Sequence, residues 1–111
     1  MSHPPPNEAL AELSEVLGAD NVKTLVLTFL RDFPISIRDL EEGGRQDQHR
    51  FAHSMKSNAR LMGAHDLSHR MAELEERLTG AAGAGLTPAD LAAIKAEFET
   101  VAGPLRQFVA D

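Results

Sequence analysis

The residues best spaced to do chemistry are His53, Lys56, Ser57 and Arg60, the last three lying three, four and seven positions beyond the histidine. On a helix such positions share a face, and at about 100° per residue all three fall within about 60° of His53. The apolar residues of the same stretch, Phe51, Ala52, Met55, Ala59 and Met62, gather in an arc of roughly 100°, with His53 about 150° from its middle. One imidazole therefore stands toward water, flanked by cations and a hydroxyl. The charges between Arg45 and Met62 are Arg45, Asp47, Arg50, Lys56 and Arg60, so this stretch is locally basic on a chain whose net charge is -6. That suits an anionic group or an acidic partner.

Histidine spacing also raises metal chemistry, because His49 with His53 and His65 with His69 are i,i+4 pairs that can each chelate from one helical face. Both pairs point away from their own apolar stripes, so four imidazoles would have to converge on one ion. No carboxylate cluster completes a di-iron pattern of the kind found in helical bundles. The expectation is no metal and no cofactor on this chain.

Composition narrows the class further. A chain of 111 residues makes one domain, with room for a single core but not for a separate nucleotide-binding fold. It has no cysteine, which excludes disulfides and thiolate metal sites. No run approaches the roughly 20 apolar residues of a membrane span, and Met1-Ser2-His3-Pro4-Pro5-Pro6 has no apolar signal core. The acidic balance argues against nonspecific nucleic-acid binding. A cytoplasmic protein acting without nucleic acid or membrane is expected, with the monomer as the default state.

The elements that must position His53 are legible as amphipathic periodicity. Residues 1–7 are expected to be a flexible segment and 8–111 a bundle domain. Asn7 caps a short helix to about Leu17, with Leu10, Leu13 and Leu17 on one side and Gly18 as its stop. Asp20 caps a long helix on Val22, Leu25, Val26, Phe29, Leu30, Phe33, Ile37 and Leu40, ended by Gly43-Gly44. Pro34 lies inside it with the stripe in phase on both sides, which predicts a kink and not a break.

The helix bearing His53 runs from about Arg45 to Met62. After Gly63 a fourth helix spans about Ala64 to Thr79 on Leu67, Met71, Leu74 and Leu78, antiparallel to the third because the connection is so short. Gly80 to Gly85 reads as a flexible linker. Thr87-Pro88-Ala89-Asp90 then opens a helix to about Val109, bent near Gly103-Pro104. Met55, Met62 and Met71 sit on apolar arcs and read as core fillers. No segment alternates with period two. The fold class is all-α: an antiparallel four-helix bundle with a short additional N-terminal helix.

The stretch His53-Ser54-Met55-Lys56-Ser57-Asn58-Ala59-Arg60-Leu61-Met62-Gly63 resembles the core pattern of the histidine phosphotransfer (HPt) domain family of two-component phosphorelays. That pattern is His-x-x-Lys, a small residue, and a glycine six further on. Thr28-Phe29-Leu30-Arg31-Asp32-Phe33-Pro34 is similar to the family's Phe-Leu-x-x-x-Pro helix, and Leu67 through Leu78 to the helix after the glycine. The resemblance covers about residues 20–109.

It implies a protein that carries a phosphoryl group on His53 and has no kinase activity of its own. Its partners would be a response-regulator receiver domain, a hybrid histidine kinase, or both, with magnesium supplied by the receiver. Lys56 would stabilise the charge on the phosphoryl oxygens, and Arg60 would add a screening charge. Ser57 stands where the family most often has glycine, leaving room for the partner's active site. Gly63 would permit the turn after the helix. Glu75, 22 residues beyond His53, would accept a hydrogen bond from Nδ1 and leave Nε2 as nucleophile. The rival reading is an adaptor or inhibitor bundle that binds a receiver or kinase without accepting phosphate.

Overall fold

Each amphipathic segment becomes a helix in the computed structural model, which describes residues 4–79 and 85–110. These are α1 (Glu8–Leu17), α2 (Ala19–Glu42), α3 (Arg45–Leu61), α4 (His65–Thr79) and α5 (Pro88–Val109). There is no strand among the described residues. The expected linker lies largely outside them, at 80–84, as do residues 1–3 of the expected flexible segment.

The caps show why the elements begin where they do. Asn7 accepts from the backbone N–H of Leu10, and Thr87 and Asp90 form a reciprocal capping box with Pro88 in the first turn of α5. Asp20 is not the cap of α2. Gly18, at φ 86°, reverses the chain within one residue, so α2 starts at Ala19 and Asp20 falls inside the first turn. There its charge still favours the positive end of the helix dipole. α2 runs unbroken through Pro34, and α5 through Pro104.

Packing links α3 to α4, α2 to both α3 and α5, α4 to α5, and α1 to α2. The core between them contains no buried polar or charged residue among the described ones. Phe29, Phe33 and Phe98 meet at its centre, with Phe33 and Phe98 stacked at 5.1 Å and 4°. Burying such a ring stabilises the fold by about 1.5–3 kcal/mol. Met55, Met62 and Met71 are core fillers, at 1%, 2% and 0% exposure. Leu17 departs from its expected place: it is 41% exposed, at the last position of α1 before the Gly18 cap.

Candidate functional site

α3 and α4 form a helical hairpin, and the turn between them is set by Gly63. Its φ of 75° is one that residues with a Cβ rarely adopt. A Cβ at this position would also collide with the Asn7 side chain. Asn7 needs that space: its Nδ2 donates to the Met62 carbonyl at 2.9 Å while its Oδ1 caps α1 at 2.9 Å. One side chain thus ties the start of α1 to the end of α3. Further along, the Ser68 hydroxyl donates to the Lys56 carbonyl at 3.2 Å, joining α4 to α3.

With the hairpin held this way, Glu75 on α4 lies against two residues of α3. Its Oε2 is 2.6 Å from Nδ1 of His53, and its Oε1 accepts from Nζ of Lys56 at 2.6 Å. The His53 side chain is 59% exposed, whereas those of Lys56 and Glu75 are 30% and 16% exposed. The hydrogen bond from Lys56 holds the Glu75 carboxyl below the usual carboxylate range, with the His53 bond assisting and partial burial opposing. Glu75 is therefore ionised at neutral pH and has no proton to give. Nδ1 must then be the donor, which fixes the neutral ring with its hydrogen on Nδ1 and its lone pair on Nε2. That lone pair sits on a side chain that is 59% exposed, on the nitrogen not used by Glu75.

Of the residues singled out in the sequence, His53, Lys56 and Glu75 come together. Ser57 and Arg60 do not join them. Both are exposed and line a groove of about 500 Å³ between α1 and α3, with Ala9, Glu12, Leu13, Val16 and Leu61. Arg60 makes no ion pair among the described residues. Val16 and Leu61 are 80% and 47% exposed, leaving apolar surface beside the site.

Two contributors went unread in the sequence. Asn7 looked like a cap alone, and nothing local signals its reach across 55 positions to Met62. Ser68 carried no signal at all. The histidine pairs weighed as a rival metal reading gain no further ligand that completes a larger cluster: among the described residues there is no group of three or more His, Cys, Asp or Glu placed to hold an ion.

Comparison with protein families gives a match between the Hpt domain and residues 7–103. The matched span starts at Asn7 and takes in α1, which the resemblance read from about residue 20 had left out, and it stops at Gly103 within α5. Comparison with curated proteins and with solved structures gives no match.

Proposed function

This chain belongs to the Hpt domain family, whose members are phosphocarrier modules of two-component systems, and on that footing we propose that it relays a phosphoryl group through His53. The donor or acceptor is the aspartate of a response-regulator receiver domain, and a hybrid kinase is a second partner of the same kind. The observation that carries this reading is an exposed ring whose inner nitrogen is fixed by a carboxylate, so that the outer one is the nucleophile.

In the forward step the Nε2 lone pair attacks the phosphorus of the partner's aspartyl phosphate. The N–P bond forms as the P–O bond breaks, and the aspartate leaves as a carboxylate with the electron pair. No proton has to leave Nε2, because this tautomer carries its hydrogen on Nδ1. The product ring is cationic and stays beside the Glu75 carboxylate, which stabilises it. Lys56, one turn from His53, supplies positive charge to the phosphoryl oxygens. The magnesium of the reaction belongs to the receiver, and this chain contributes no cofactor and no kinase activity. The exposed apolar groove at Ser57 and Arg60 is the docking face, with Arg60 as a rim charge.

The architecture belongs to the same proposal: α2 to α5 as an antiparallel four-helix bundle with α1 added to it, within a domain spanning residues 8–111. The mutual packing of α2 with α3 and α5, and of α4 with α3 and α5, supports it. No described helix is long and apolar enough to cross a membrane, and the acidic charge disfavours nucleic acid. A cytoplasmic monomer is the form proposed.

The test is incubation with a receiver domain phosphorylated on its aspartate. Acid-labile, base-stable label should appear on this protein and vanish in His53→Gln. Tight receiver binding without label would support the adaptor reading instead.

A further inference from the structure

We propose that His49 and His53 form an open two-imidazole site for a borderline transition-metal ion such as zinc, and that its occupation blocks the nucleophilic nitrogen of His53. The two residues lie one turn apart on the unbroken helix α3, a spacing that lets both rings reach one ion from the same face. The second observation is the anchoring of His53. Its Nδ1 is held by a carboxylate at 2.6 Å, which is the outer-sphere arrangement that orients a metal-binding imidazole and raises the basicity of Nε2. His49 makes no hydrogen bond or ion pair among the described residues, so its ring is free to turn toward the ion.

Charge around the pair opposes a cation less than the local sequence suggests. Nζ of Lys56 is paired with Glu75 at 2.6 Å and Arg50 with Asp47 at 3.2 Å, while Arg60 lies seven residues beyond His53, on the side away from His49. The other i,i+4 pair is arranged differently. In His69 it is Nε2 that meets a carboxylate, that of Glu73, at 3.0 Å, so the outer nitrogen is already engaged. The fold thus separates two pairs that look alike in sequence. Since no third protein ligand converges, the remaining coordination positions are left to water, and the site is exchangeable. Metal and phosphoryl both require the Nε2 lone pair and exclude one another.

The inhibitory half rests on the phosphocarrier reading, whereas metal binding does not, and the experiment separates them. Zinc chloride is titrated into the full chain while the histidine ring resonances are followed by NMR. The ring signals of His49 and His53 should shift together and saturably ahead of those of His65 and His69, and a chelator should restore them. His49→Gln should weaken binding by about tenfold or more, because a single imidazole remains. In the transfer assay, zinc should slow labelling of the native chain and require a correspondingly higher concentration in His49→Gln, with the same receiver in both arms. Movement of the His65 and His69 signals first, or unchanged affinity in His49→Gln, overturns the site. Joint shifts of His49 and His53 with labelling insensitive to zinc would keep the site and overturn the block.

Discussion

Two seams of this protein carry carboxylates between neighbouring helices, and among the described residues they are arranged differently. At the α4–α5 seam, Oε1 of Glu97 accepts two guanidinium nitrogens of Arg70, at 2.8 and 2.5 Å. Beside them, Oδ2 of Asp90 accepts from Arg77 at 2.7 Å and from both the backbone and the hydroxyl of Thr87. Three of these residues, Arg70, Arg77 and Asp90, line a concavity of about 470 Å³, yet its cations are already committed to carboxylates. At the α3–α4 seam, Glu75 also serves two partners, but one is an imidazole whose second nitrogen is left over. In the proposed function it is that unspent lone pair, and not concavity or charge density, that makes the difference.

The comparison breaks most readily through His53. His53→Gln should abolish labelling while the melting temperature stays close to that of the native chain, since the side chain is mostly exposed. Arg70→Met should do the reverse, lowering stability with transfer retained. Should His53→Gln still accept acid-labile phosphate, the contrast between the seams is void.

Glu75→Gln against Glu97→Gln is the sharper test. The first removes the charge that fixes the ring and pairs with Lys56, and should slow transfer by at least about tenfold. The second should cost on the order of 1 kcal/mol of stability, as expected for a partly exposed pair, with transfer rates unchanged. Rates measured with one phosphorylated receiver, beside urea denaturation of both variants, decide between them.

Gly63→Ala tests how the hairpin is held. It forces a Cβ into the left-handed region and against Asn7, and should destabilise the chain by roughly 1–3 kcal/mol. Asn7→Ala, which removes the cap and the bond to Met62, should cost about 1–2 kcal/mol. If the two losses simply add in the double variant, the Asn7–Gly63 contact carries no coupling.

The smallest effect is the pH response. The Glu75 carboxyl is lowered in the fold, chiefly by Lys56. At Asp90, burial pushes the carboxyl up, but hydrogen bonds from Arg77 and Thr87 outweigh it and the net shift is downward. A lowered folded value means that each contribution is complete above the ordinary carboxylate range and is lost as pH falls through the folded value. The stability gap between native chain and Asp90→Asn should therefore shrink on acidification below about pH 4, the ordinary carboxylate region. A gap that widened there would contradict the assignment.

Much of this was legible because it is local. The apolar stripe of α3 placed His53 outward, Thr87-Pro88-Ala89-Asp90 announced a capped helix, and Gly18 and Gly43 stopped helices where expected. Where local reading failed, two local signals competed: Asp20 is a good cap residue, but the positive φ of Gly18 started α2 two positions earlier. The reach of Asn7 and the pairing of Lys56 with Glu75 were not legible, since each spans elements.

From its residues alone, the chain determined five helices, their inward faces, and a histidine on the solvent side with a lysine one turn away. Those properties depend on contacts within a turn or two. The resemblance implied the bond from Nδ1 of His53 to Glu75, but tertiary structure alone decided that both oxygens of Glu75 are used, one on each of two α3 residues. Such choices depend on the offset and rotation of α4 against α3, which the Gly63 turn, Asn7 and Ser68 set together and which periodicity within one helix does not encode.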